Sequence, residues 1–333
     1  MRVAIIGAGS QCRRRAPVVR EWPGSELACI ASHRFEDAKS MASQFGCEPV
    51  ATWIDAVTRR DVDIVLVCTP PYAHAEICVM ALREGKHVLC EKPMCRTEAE
   101  AEEMVRVALE TGRILKCGFN LRHHPAISEA KRIVIEGGIG RVMFARCKHG
   151  TGWVKANENG WRSDPNRAAG GWFIEHGIHA IDLFRWFMGD VAEVGCMTGS
   201  QYNQDRSLDD NGMALFRMQS GAIASLHTSM TQWKPVFNLE IFGDEGYVIV
   251  DGLGTCYGTE KLVFGKRDFK GPPSHQVTEY REDDLSWRDE WKEFMLAIEE
   301  IREPVGNGED GLASIRIALK AYEAERLGRT LPM

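Results

Sequence analysis

Short runs of consecutive apolar residues recur at 3–6, 27–31, 64–68, 87–90 and 115–118, with helix-period segments between them. That alternation predicts βαβ units and a parallel sheet, and strands apolar on both sides suit a sheet covered on both faces. Residues 75–84 and 97–111 read as helices. In the second, Thr97 and Glu100 form a capping-box pair, and Ala101, Met104, Val105, Ala108 and Leu109 recur at helical spacing. Gly112 stands where that helix should end.

The pattern changes after about residue 121. Residues 127–136 and 174–188 predict helices, the second with Ile174, Ile178, Ile181, Phe184 and Phe187 in phase and Gly189 as its stop. Strand-like runs at 213–218 and 222–229 flank Gln219-Ser220-Gly221. A second pair, 237–242 and 247–251, flanks Gly243-Asp244-Glu245-Gly246. Turns this short imply antiparallel pairing. Residues 286–301 and 311–327 read as closing helices, expected to pack back on the first domain, and 265–274 as a loop. The expected fold is an α/β doubly wound parallel sheet over 1–120, followed over 121–333 by an α+β domain with a large, mainly antiparallel open sheet.

Composition narrows the function classes. The 333 residues are 44% hydrophobic and 26% charged with net charge −6, which argues against nucleic acid as a partner. No apolar run approaches the ~20 residues of a membrane span. The first apolar run starts at Val3 and reads as a strand, not a leader, so a cytoplasmic protein is expected. Eleven cysteines, an odd number with no Cys-x-x-Cys, predict neither disulfides nor a metal site.

The first strand runs into Gly7-Ala8-Gly9-Ser10-Gln11-Cys12. In a dinucleotide-binding fold the first glycine permits the tight turn, and the second lets backbone approach a pyrophosphate at a helix N-terminus. Cys12 occupies the third glycine position, and Pro17 suggests an irregular start to the helix. The second strand ends Ala31-Ser32-His33-Arg34, with no carboxylate before Glu36. A hydroxyl beside basic residues favours NADP(H) over NAD(H), because a carboxylate there would select the free ribose.

Four further segments carry a family resemblance. They are Cys68-Thr69-Pro70-Pro71-Tyr72-Ala73-His74, Glu91-Lys92-Pro93, Gly118 to Pro125 (Gly-Phe-Asn-Leu-Arg-His-His-Pro), and Gly170-Gly171 with Gly177-Ile178-His179-Ala180-Ile181-Asp182. In this order, over almost the whole chain, they resemble the Gfo/Idh/MocA family of NAD(P)-dependent oxidoreductases. The resemblance implies a Rossmann domain, an open sheet that often serves oligomer contacts, and sugars, inositols or related polyols as substrates. A homodimer or homotetramer through the C-terminal sheet is expected accordingly.

The residues themselves agree. Thr69, Pro70 and Pro71 end a buried strand at its carboxyl edge, where ligands of doubly wound sheets bind. With His74, Glu91, Lys92 and Asn120 they complete the expected cofactor site. A cationic Lys92 at this edge can stabilise an oxyanion developing on a substrate carbinol. Glu175 and His179 lie one helical turn apart and share a face, so a carboxylate can orient a histidine acting as base. The family pattern is Asp-x-x-x-His; this chain has Glu175 at the Asp position. Lys92, His179 and Glu175 form the expected catalytic set.

Arg122, Trp153, Trp161, Arg162 and His176 join His179 as expected substrate contacts, since aromatic rings pack on sugar rings and arginine binds hydroxyls or acidic groups. His176 is equally compatible with a core position, Asp182 with a second partner for His179 or a plain helix charge, and the tryptophans, Trp172 included, with ordinary core. The expected reaction is hydride transfer between nicotinamide and a secondary alcohol or ketone. Two alternatives stay open: glycoside cleavage through transient oxidation and elimination, and a non-catalytic cofactor-binding regulator.

Overall fold

The computed structural model describes residues 1–152, 160–202, 207–271 and 274–333. The chain divides into two compact units. One comprises Met1–Asn120, Asn166–Ala169 and Trp287–Ile315; the other comprises Leu121–Pro165, Gly170–Ser286 and Arg316–Met333.

In the first unit, six strands alternate with helices: β1 (Arg2–Ile6), α1 (Ser10–Glu21), β2 (Glu26–Ala31), α2 (Phe35–Phe45), β3 (Glu48–Val50), α3 (Trp53–Val57), β4 (Ile64–Val67), α4 (His74–Arg83), β5 (His87–Glu91), α5 (Glu98–Thr111) and β6 (Leu115–Gly118). All pairings are parallel, in the order β3-β2-β1-β4-β5-β6. The order reverses between β1 and β4, which opens the ligand crevice of such sheets at their carboxyl ends. The capping box read at Thr97 and Glu100 is present, and Gly112 ends α5 in the left-handed conformation. The predicted irregularity of α1 is absent: the helix runs unbroken through Pro17, whose missing N–H leaves Arg13 without its i+4 donor. Trp291 and Phe294 join Val3, Ile5, Ile30, Leu66 and Leu89 in the core. Burying aromatic side chains of this size stabilises by roughly 1.5–3 kcal/mol each.

The second unit holds α6 (Pro125–Ile135), β7 (Val142–Gly150), α7 (Trp172–Met188), β8 (Val191–Gly199), β9 (Asn211–Met218), β10 (Ile223–Ser229), β11 (Val236–Gly243), β12 (Gly246–Asp251), β13 (Glu260–Lys266) and β14 (His275–Tyr280). Helix α8 (Ser286–Glu299) is followed by α9 (Gly308–Leu327) and the short β15 (Leu331–Pro332). The nine-stranded sheet runs β14-β13-β12-β11-β7-β10-β9-β8-β15, antiparallel except for the β7–β10 pair. Helix α7 packs on β7, β9 and β10. Gly177 lets it come close, since a Cβ there would meet Leu226 Cδ2 at 3.2 Å and Thr228 Cγ2 at 3.3 Å. No described helix is long and apolar enough to cross a membrane.

Candidate functional site

Strand register sets the ligand edge of the first unit. Ile6 pairs with Val67, and Val67 with Cys90. Gly7-Ala8, Cys68-Thr69 and Glu91-Lys92 therefore leave the sheet side by side at its carboxyl edge. Gly7 has φ +108°, and a Cβ on it would lie 2.7 Å from the Cys68 carbonyl carbon and oxygen. Only glycine fits where the β1 turn crosses the end of β4. Gly9 is different: a Cβ there would meet no atom within 4 Å. It is the N-cap of α1, with no side-chain cap and no acidic residue in the first turn. An uncapped helix start free of carboxylates attracts an anion.

Two buried polar atoms fit a dinucleotide at this edge. Gln11 Oε1 and Thr69 Oγ1 have no hydrogen-bond partner among the described residues, and buried polar atoms are normally satisfied. The N–H groups of Ser10 to Cys12 would hold the pyrophosphate, with Gln11 and Thr69 as side-chain contacts. Cys12 is fully buried in the core, so its backbone alone is available to a ligand; burial pushes its thiol up to about 12. At the end of β2, Ser32 is buried while His33 and Arg34 are exposed. The Arg34 Nε donates to Asp37 Oδ2 at 2.7 Å, a neighbour the sequence reading did not weigh.

Lys92, half-buried, follows β5 directly. The residues around it are anchored. Glu91 is 3% exposed, and its Oε1 accepts from Arg15 Nε at 2.9 Å and Nη2 at 2.7 Å. Arg15 also pairs with Glu290. Glu91 is thus turned to the core and holds the start of the Lys92 loop, instead of facing a cofactor. His74 lies fully buried between two carbonyls, its Nε2 2.6 Å from Thr69 O and its Nδ1 3.0 Å from Pro93 O. It links the Pro70-Pro71 turn to the segment after Lys92, and burial holds its pKa below the ordinary value. Asn120 is buried at the end of this unit.

In the second unit, α7 carries Glu175, His176 and His179. It starts at Trp172, earlier than the periodicity indicated. Glu175 and His179 are each 7% exposed. Glu175 Oε1 accepts from Arg162 Nε at 2.9 Å, and Arg162 lies over the Trp161 ring, 4.2 Å from its centroid. His176 stacks on Trp172 with centroids 4.1 Å apart and planes 15° apart. Arg122 is 3% exposed and bidentate to Asp182, Nε to Oδ2 at 2.8 Å and Nη2 to Oδ1 at 2.6 Å. This buried pair gives Asp182 a partner other than His179 and turns Arg122 toward the fold. Trp153 lies outside the described residues.

His149 was missed by the sequence reading. On β7 it is 4% exposed, with its ring centroid 4.8 Å from His176 and 6.0 Å from His179. Tyr257 lies beside it, the hydroxyl 3.4 Å from His149 Nε2. The available signal was the alternation of Ala145, Cys147 and His149, which are buried, with Arg146 and Lys148, which are exposed. No group of His, Cys, Asp and Glu among the described residues is arranged to hold a metal.

Comparison with known proteins matches residues 1–119 to an oxidoreductase family described as NAD-binding Rossmann fold, and residues 127–249 to the GFO/IDH/MocA C-terminal domain. The chain is 30% identical to 1,5-anhydro-D-fructose reductase of Ensifer adhaerens, over 98% of this chain and 97% of that one. It is 33% identical to dTDP-3,4-didehydro-2,6-dideoxy-alpha-D-glucose 3-reductase of Actinomadura kijaniata, over 79% of this chain and 78% of that one. A solved structure of levoglucosan dehydrogenase, in complex with NADH and levoglucosan, superposes with a TM-score of 0.92 at 22% identity, covering 100% of this chain and 99% of that one.

Proposed function

The chain belongs to the GFO/IDH/MocA oxidoreductase family, and we propose that it transfers hydride between NADP(H) and a secondary alcohol or ketone of a sugar, cyclitol or related polyol. The observation that carries this reading is the register at the first unit's carboxyl edge, where Lys92 leaves β5 next to Thr69 after β4, with the Gly7-Ala8 turn one strand further along the same edge. A bound nicotinamide would supply the hydride acceptor or donor. His179 takes the hydroxyl proton during oxidation and returns it during reduction. The Lys92 ammonium is suited to stabilise negative charge growing on a carbinol oxygen. Glu175 fixes Arg162, and with Trp161 they offer a charged and aromatic surface suited to a sugar ring.

Self-association through the open face of the nine-stranded sheet belongs to the same reading. On that face Met213, Leu215 and Ile223 are 59%, 67% and 54% exposed, beside the stacked pair Phe144 and Phe242. A patch of this kind is suited to contact between copies of the chain.

The test is turnover of 1,5-anhydro-D-fructose with NADPH or NADH, and of levoglucosan and myo-inositol with NADP+ or NAD+, followed by nicotinamide absorbance. Stoichiometric cofactor consumption on at least one of them is expected, with Lys92→Met lowering kcat by about 10²–10³-fold and leaving cofactor affinity nearly unchanged. Cofactor binding without turnover on any of them, or full activity in Lys92→Met, defeats the proposal. Turnover without net cofactor consumption would replace it with the transient-oxidation alternative.

A further inference from the structure

Helix α7 begins at a glycine N-cap, Gly171, which has no side chain to receive the first-turn N–H groups. Residue 209 receives them instead. The Trp172 N–H donates to the Asp209 carbonyl at 2.8 Å, and the Phe173 N–H donates to Asp209 Oδ1 at 2.7 Å. Asp209 Oδ2 accepts from the Tyr322 hydroxyl at 2.8 Å, and that hydroxyl accepts from the Gly171 N–H at 3.2 Å. The two glycines make the ring possible. A Cβ on Gly170, at φ +159°, would meet Ile174 Cγ2 at 2.8 Å and the Tyr322 hydroxyl at 3.0 Å, and one on Gly171 would overlap the Asp209 carboxylate.

We propose that Asp209, acting with Tyr322 and the Gly170-Gly171 pair, is a positioning residue that caps α7 from a distance and so fixes Glu175 and His179. The inference rests on the assignment of His179 under Proposed function. Side chains of the first and second turns take their direction from the helix start, so a loose first turn displaces Glu175 and loosens its contact with Arg162.

The electrostatics separate positioning from simple stabilisation. Burial pushes the Asp209 carboxyl from its ordinary 3.8 up to about 6, against the lowering effect of the Phe173 N–H and the Tyr322 hydroxyl, and Glu325 on α9 raises it further. Cys196 on β8 also feels the Asp209 charge, and the Glu325 carboxylate is held by the Thr198 N–H and hydroxyl. A carboxylate with a raised folded pKa destabilises the fold while it is ionised, and the destabilisation fades as pH falls through about 6. Ionisation of Asp209 therefore costs part of the stability that its protonated form would give.

Asp209→Asn keeps an acceptor for the Phe173 N–H and removes the charge. Three changes are expected near pH 7: a melting temperature equal to or above wild type, kcat on the best substrate of the panel above reduced at least about tenfold, and faster amide exchange at Phe173, whose N–H then donates to a weaker, uncharged acceptor. The gain in melting temperature should shrink as pH falls below about 6. Tyr322→Phe, which removes one arm of the ring, should give the same loss of kcat at smaller amplitude. Asp209→Asn with wild-type kcat and unchanged exchange, alongside an inactive His179→Asn, overturns this inference alone. A lowered melting temperature with kcat per folded molecule unchanged also overturns it, by showing an ordinary stabilising role. Full activity in His179→Asn overturns the site assignment and this inference together.

Discussion

Arg15 directs two N–H groups, Nε at 2.9 Å and Nη2 at 2.7 Å, at the single oxygen Oε1 of Glu91, the residue before Lys92. The pair is almost wholly buried, with side chains 1% and 4% exposed, and Arg15 also neutralises Glu290, itself 0% exposed. Charges removed from water in this way are tolerated only together. Burial raises the Glu290 pKa and the Arg15 charge opposes the rise. Arg15→Met should therefore lower the unfolding free energy by about 3–5 kcal/mol, read by urea denaturation. Much of the loss should return when Glu91→Gln and Glu290→Gln are added, because the stranded charges are then gone. A loss below about 1 kcal/mol in Arg15→Met would show that the pair is not the anchor of the Lys92 loop.

The two glycines of the phosphate loop should fail differently. Gly7→Ala puts a methyl group into the Cys68 carbonyl at a φ of +108°, and should destabilise by about 1–3 kcal/mol or more before any ligand is added. Gly9→Ala meets nothing in the protein and should leave the melting temperature within about a degree, while weakening dinucleotide binding about tenfold or more by blocking backbone approach to the pyrophosphate. Thermal shift with and without NADPH separates the two effects. Equal cofactor affinity in Gly9→Ala and wild type would remove the loop from the binding site.

These local features were legible because they are written in consecutive residues. Gly7 to Cys12 sits after an apolar run, and the Thr97 and Glu100 pair announces α5. Strands whose pattern is diluted were not legible. β3 is three residues long with Pro49 in it, and β14 exposes nearly every side chain, so neither shows an apolar face. β13 mixes apolar and charged residues without a clean alternation. At the site, the Glu175 and His179 spacing follows from helix geometry, but the partners of α7 do not. Asp209 and Tyr322 are separated by 113 positions, and Arg15 from Glu290 by 275. Only the folded chain supplies such pairs. The same limit holds for Arg122 and Asp182, which pair across 60 positions.

Acid should destabilise the protein through His87. Its Nδ1 accepts the Ile114 N–H at 3.1 Å, which requires a neutral ring. Burial, reinforced by the Arg113 charge, lowers its pKa from 6.5 to about 4. The unfolded chain then binds a proton that the native state refuses between those values, so stability is present above pH 6.5 and is lost as pH falls toward 4. Asp209 acts in the opposite direction over part of this range. His87→Gln should flatten the acid-side decline in unfolding free energy and Asp209→Asn should steepen it. Parallel pH curves for wild type and His87→Gln would show that the ring titrates normally.

If the chain uses NADP(H), as proposed, Arg34 is the residue to test for cofactor choice. Its guanidinium pairs with Asp37, at 2.6 Å from Nη2 to Oδ2, with side chains 70% and 37% exposed. An exposed pair of this kind contributes at most about 1 kcal/mol, so the arginine can leave it at little cost for a 2′-phosphate, where a charge-assisted contact contributes about 1.5–3 kcal/mol. Ser32, buried at the end of β2, adds a hydroxyl beside it. Arg34→Ala should lower kcat/KM with NADPH by roughly 10- to 100-fold and leave the value with NADH nearly unchanged. Asp37→Asn should raise the NADPH value slightly, by freeing the guanidinium beforehand. Titrating each nucleotide against the three proteins decides the matter: equal losses for NADPH and NADH in Arg34→Ala would mean that Arg34 does not read the phosphate, and the preference would have to come from elsewhere in the β2 turn.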